Sequence, residues 1–178
     1  KYVGGLVGYN GETVSNSSAR GAVTGFSAVG GLVGFNYGTV STSSASSAVT
    51  GFGLVGGLVG DNVDGGTVSD SSASGAVTGF GLVGYNNGGT VSNSSASGVM
   101  NGSSNVGGLV GRIVDDGTVS NASASGAVNA TTGSSNVGGL VGYNFEGTVS
   151  ESFATGAVSG SSEVGGLGGQ VAVCYIHM

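Results

Sequence analysis

The stretch "GTVSNSSASG" at Gly89–Gly98 is written again, with one letter changed, as "GTVSDSSASG" at Gly66–Gly75 and as "GTVSNASASG" at Gly117–Gly126. Its valine belongs to a column formed by Val14, Val40, Val68, Val91, Val119 and Val149, each preceded by Thr and followed by Ser. Nine residues further on, in all six copies, stands a second apolar residue: Val23, Val49, Val77, Met100, Val128 or Val158. A third column comes from "GGLVG" and its variants, at Leu6, Leu32, Leu58, Leu82, Leu109, Leu140 and Leu167. The intervals flanking the nine-residue segment vary, from 8 to 10 residues before it and from 5 to 12 after it. A segment of fixed length between variable ones is a wall bounded by surface turns, because exposed loops tolerate insertion.

These walls have strand character, since "TVS" and "AVTG" are short, rich in β-branched residues and punctuated by Gly, Asn and Ser. No window carries a helical i, i+3, i+4 pattern, and glycine at this density costs a helix about 1 kcal/mol per residue. The repeat therefore predicts an all-β fold, a parallel β-helix-like β-solenoid of about six and a half coils with roughly 26 residues per coil. A single coil buries too few Val, Leu and Ala side chains to offset an ordering cost of about 1.5 kcal/mol per residue, so the coils must stack. The five-residue interval between Val77 and Leu82 predicts a kink or a missing corner, and "NATTGSSN" at Asn129–Asn136 a longer surface loop.

Composition excludes several classes of function. Only 7% of the 178 residues are charged, with three Lys and Arg against nine Asp and Glu, so no basic stripe exists for a phosphate backbone and nucleic acid is not an expected partner. Disorder is disfavoured too, since 38% of the chain is hydrophobic and mean hydropathy is +0.30. No apolar run approaches the length of a membrane span. Cys174 and His177 are the single cysteine and histidine, and no serine has an activating partner in the sequence, so no catalytic residue, metal or cofactor is expected and the chain reads as a non-enzyme. "GFGLVG" at Gly51–Gly56 and Gly79–Gly84 satisfies a dinucleotide fingerprint by letter but lacks the following helix. Asp61, Asp64, Asp115 and Asp116 read as solvated turn carboxylates, without the ligand spacing of a calcium loop.

One residue after the GLVG segment stand Asn10, Asn36, Asn62, Asn86 and Asn144, with Ile113 as the interruption. The recurring register predicts an asparagine ladder, with five independent Asn turns as the alternative. "GGLVGYNFEGTVSESFATGAVSG" at Gly138–Gly160 resembles the GLUG repeat, a Gly-Leu-x-Gly module of large bacterial and archaeal surface and secreted proteins, among them adhesin-like proteins and non-catalytic parts of some immunoglobulin A proteases. The aromatic position of that module is Phe153 here but Ser18, Ser44, Ser72, Ser95 and Ser123 in the other copies. The resemblance implies an extracellular or cell-surface location and a structural role.

The organisation read from these patterns is repeats over residues 1–169 and a C-terminal apolar strand over residues 170–178, "QVAVCYIHM". That strand is either a cap or a joining strand, with Val171, Val173 and Tyr175 as the candidate assembly residues. Open β-edges invite pairing. The expected partners are thus flanking repeats of a longer chain or other copies joined end to end, with host or surface glycans as a further possibility.

Strand alternation turns the residues beside each wall valine outward. This gives two hydroxyl columns, Thr13, Thr39, Thr67, Thr90, Thr118 and Thr148 beside Ser15, Ser41, Ser69, Ser92, Ser120 and Ser150. They repeat about every 4.8 Å along the axis, spaced about 6.7 Å across it. The pattern is similar to the T-x-T arrays of solenoid antifreeze proteins, which makes ice binding the alternative to a stalk, adhesin or filament role. Tyr9, Phe35, Tyr85 and Tyr143 share another column that suits stacking on sugar rings, a third reading. Sequons at Asn16, Asn93, Asn101, Asn121 and Asn129 are possible glycosylation sites.

Overall fold

The computed structural model describes residues 1–172, 176 and 177, with side chains described as far as residue 170. The Thr-Val-Ser triplets form strands Thr13–Ser15, Thr39–Ser41, Thr67–Ser69, Thr90–Ser92, Thr118–Ser120 and Thr148–Ser150. These pair in parallel with Thr over Thr, Val over Val and Ser over Ser. The serine–alanine pairs from Ser18–Ala19 onward make a second such wall, the segments around Val23 and its equivalents a third, and the GLVG segments the fourth. Among the described residues there is no helix, and each coil adds a rung to every wall. The chain is a β-solenoid. From Thr13 to Thr148 five steps average 27 residues per coil.

Two columns of apolar side chains fill the interior. The larger is built from Leu32, Val33, Val40 and Ala45 and their equivalents in neighbouring coils. The smaller joins the third wall to the entry of the GLVG wall, through Val23, Val49, Val77, Met100 and Val128 against Val29, Val55, Val106 and Val137. The double glycine before every leucine of the column except Leu82, which follows Phe80-Gly81, lets the GLVG strand close over this interior. A Cβ on Gly31 would meet the Gly57 carbonyl oxygen of the next coil at 2.0 Å and Ala45 Cβ at 3.1 Å.

The corner after each TVS strand is left-handed. Asn16, Thr42, Asp70, Asn93, Asn121 and Glu151 all have φ between 47° and 50°. Asn and Asp tolerate that region best. The following serine fastens the corner: Ser43 Oγ donates to the Ser41 carbonyl at 2.7 Å and accepts from the Ser17 backbone N–H of the preceding coil at 3.1 Å. Ser71 repeats both bonds, and in coil five Ala122 replaces the serine while its own N–H donates to Ser152 Oγ.

The asparagine column is a buried ladder. Asn10 Nδ2 donates to Asn36 Oδ1 at 2.7 Å, Asn36 to Asn62 at 2.8 Å, and Asn62 to Asn86 at 2.7 Å. Beyond Asn86 the column meets Ile113, and Asn86 Nδ2 turns to the Gly89 carbonyl at 2.9 Å. Asn144 closes its own turn, with bonds at 3.1 Å to the Gly147 carbonyl and from the Gly147 N–H.

Coil four does have its corner removed. Thr78 is followed by Gly79, Phe80 and Gly81, and Gly81 already pairs with Gly56 of coil three. The long connection of coil five is not a free loop. Residues 129–136 lie within strand Val128–Gly138, which pairs with strand Met100–Gly107 through a register shift between Gly102 and Ser104. The long connection and the ordinary one of the preceding coil satisfy each other's backbone groups, which an isolated loop cannot do.

Candidate functional site

The hydroxyl columns lie on the TVS wall in the register read from the sequence. The wall valines from Val40 to Val119 are fully buried, while the flanking Thr and Ser are half-buried from the second coil onward. Thr118 Oγ1 donates to Thr90 Oγ1 at 3.1 Å, tying one pair of rungs along the column. The serine-fastened corner beside them keeps this comb of hydroxyls on one wall, where its regular spacing can order water or meet a repeating partner.

The aromatic column contains three residues that sequence reasoning did not place there, Asp61, Arg112 and Gln170. Strand register places Tyr9, Phe35, Asp61, Tyr85, Arg112, Tyr143 and Gln170 at successive rungs. The signal was present, because Asp61 and Arg112 stand directly before Asn62 and Ile113 just as the aromatics stand before their asparagines. The Tyr9 and Phe35 rings stack at 5.4 Å with 7° between their planes, and Tyr2 leans on Phe35 at 4.5 Å. The Arg112 guanidinium carbon sits 5.5 Å from the Tyr85 ring centroid and 5.2 Å from that of Tyr143, close enough for cation–π attraction to both.

Asp61 is thus not a solvated turn carboxylate. It lies within strand Val55–Val63 at 8% exposure, and its Oδ1 has no hydrogen-bond partner among the described residues. Burial, with a smaller contribution from the Asp64 charge, pushes its carboxyl up to about 6. The short side chain sits in the shadow of the larger rungs on either side. Asp64, Asp115 and Asp116 are exposed, all with left-handed backbone, and no group of three or more His, Cys, Asp or Glu among the described residues is placed to hold a metal.

The missing corner of coil four opens a notch. One cleft of about 350 Å³ lies between Phe52 of the preceding coil and Asn101 and Ser103 of the next excursion, with Phe80 on its lining. Phe80 also lines a recess of about 70 Å³ with Leu54, Tyr85, Asn105 and Arg112. Asn105 and Arg112 continue into a third cleft of about 250 Å³ that Asn136 and Tyr143 complete.

The sequon asparagines Asn16, Asn93 and Asn121 occupy the exposed left-handed corner, and Asn101 and Asn129 are exposed and paired with each other in register. In the terminal segment, strand Gly168–Ala172 joins the GLVG wall with Val171 paired to Asn144, and Ile176–His177 joins the TVS wall beside Val149–Ser150. Of the candidate assembly residues, Val173 and Tyr175 lie outside the described residues, as does Cys174.

The GLUG motif matches the chain over residues 1–24, 102–129 and 133–159. Each match spans one turn of the solenoid, and the coils between them share the same ladders. Neither the curated proteins nor the solved structures contain a match to it. The chain is a β-solenoid in which three of the stacked coils match the GLUG motif.

Proposed function

We propose that this chain is a non-enzymatic rod segment of an extracellular or cell-surface structure, an adhesin or stalk segment or the subunit of a surface filament, whose coil edges take further coils of the same kind. The observation that carries this reading is the in-register stacking itself, in which each interior leucine is covered by the coils on either side of it. Leu32, Leu58, Leu82, Leu109 and Leu140 are fully buried, whereas Leu6 in coil one is 52% exposed beside exposed Tyr2 and Tyr9. A coil stacked on that edge would bury the leucine and pair the open strands Val3–Gly4 and Val7–Asn10. The coil could come from flanking repeats of a longer chain or from a second copy. Sedimentation of the native chain against Leu6→Asp tests the assembling form. Concentration-dependent association that the substitution abolishes supports a filament subunit; a monomer at every concentration removes that form and leaves the stalk.

The in-register hydroxyl columns favour ice binding as a second reading. Replacing Thr67 and Thr90 by Tyr separates the two, since ice shaping would be lost while a stalk would keep its stability and its partners.

A further inference from the structure

We infer that the cleft on the GLVG wall around Arg112 binds a sugar ring that carries a carboxylate, held between Tyr143, Arg112 and the Asn105–Asn136 pair. The inference does not depend on whether the rod assembles. Arg112 is one of only three Lys and Arg residues in the chain, is exposed, and stands between Tyr85 and Tyr143 on successive rungs. Both rings lie within cation–π distance of its guanidinium, which restrains a side chain whose planar fork pairs with carboxylates in two parallel bonds.

Across the cleft stand two asparagines at equivalent corners of successive coils. Asn105 and Asn136 have φ of 52° and 56°, and Asn136 Nδ2 donates to Asn105 Oδ1 at 2.8 Å. That bond leaves the Asn136 carbonyl oxygen buried without a partner among the described residues, an arrangement that costs free energy unless a donor arrives. The site therefore offers a charged donor for a carboxylate and, on its lining, the Tyr143 ring for the apolar side of a sugar.

The volume suits this occupant. The cleft of about 250 Å³ and the adjoining recess of about 70 Å³ share Asn105 and Arg112, and together reach the lower end of small-ligand sites. The recess continues past Phe80 towards the notch of coil four, which leaves room for an oligosaccharide to run beyond the first ring. The tyrosines and asparagines come from different coils, so the site exists only in the stacked form.

Calorimetric titration at about 0.15 M salt, where net charge is screened beyond roughly 8 Å, tests the inference with three probes. A galacturonate trisaccharide should bind the native chain, while maltotriose, which has no carboxylate, and hexaglutamate, which has no ring, should bind at least about tenfold more weakly. Arg112→Gln should weaken the galacturonate by about tenfold or more. Tyr143→Leu and Asn136→Gly should weaken it too, glycine keeping the left-handed corner while removing the amide. Arg20→Gln, which lies away from the cleft, should leave binding unchanged. Matched circular dichroism and melting curves establish that the variants fold. Absence of galacturonate binding, equal binding of maltotriose or hexaglutamate, or insensitivity to Arg112→Gln would each overturn it.

Discussion

The Asn36 side-chain amide donates to Asn62 Oδ1 one coil away at 2.8 Å, and both residues are completely buried. Each amide also bonds to backbone at its corner, Asn36 to the Gly38 carbonyl and Asn62 to the Gly66 carbonyl. The ladder thereby locks coils in register where a polar group would otherwise be unaffordable. Asn62→Ile should lower stability by about 2–4 kcal/mol, because it strands buried partners on Asn36 and Asn86. Asn144→Ile, next to the naturally apolar Ile113 rung, loses only local bonds and should cost about 1–2 kcal/mol. Urea unfolding of the two variants checks the order.

The left-handed corner supplies a stabilising change. Thr42 and Glu151 adopt the same φ as Asn16, Asn93 and Asn121, at 49° and 47°, with side chains that disfavour it. Thr42→Asn should raise stability by about 0.5–1 kcal/mol, measured by thermal unfolding, and Glu151→Asn should act in the same direction. Sequence alone showed that the TVS triplet ends at a polar residue; the common φ behind that variable letter becomes visible only when the coils are superimposed.

Glycine is not uniformly required. Gly31→Ala places a Cβ against the Gly57 carbonyl oxygen, which cannot move without breaking the ladder, and should cost about 3 kcal/mol or more. Gly133, with φ of 85° and nothing within 4 Å of an added Cβ, pays only the conformational cost, and Gly133→Ala should lose about 1–2 kcal/mol. Denaturant midpoints of the two single variants distinguish steric contact from backbone strain.

Asp61 gives a pH dependence of defined sign. Its carboxyl titrates near 3.8 when free and near 6 in the fold, so the unfolded state ionises first. The fold pays nothing below pH 3.8, loses stability as pH rises towards 6, and carries the full penalty above it. Asp61→Asn should therefore match the native chain near pH 3.5 and exceed it at pH 7.5 by about 1 kcal/mol once solvent screening is allowed for. Equal stability at both pH values would show that the carboxylate is not penalised in its rung.

Periodicity made the coil, the TVS register and the asparagine ladder legible, because stacking converts equal spacing directly into contact. The places of Asp61 and Arg112 in the aromatic column were not legible from residue type, because neither is aromatic and in a solenoid position decides. The serine ladder of Ser17, Ser43, Ser71 and Ser94 was hidden for the converse reason: serine is so frequent that one buried column looks like its exposed neighbours. The notch of coil four could be placed from the interval between Val77 and Leu82, but its lining could not, since Phe52, Asn101, Ser103 and Thr131 reach it from other coils.

The central claim, that each coil edge is a template for the next, is tested most directly by adding a coil. Residues 29–54 fused ahead of Lys1 would place a second copy of coil two on the exposed edge of coil one. Stability in a one-dimensional stack grows with each neighbour interface, so the urea midpoint should rise, and the backbone amides of residues 7–10 should become protected from hydrogen exchange. An unchanged midpoint with those amides still exchanging freely would contradict the account.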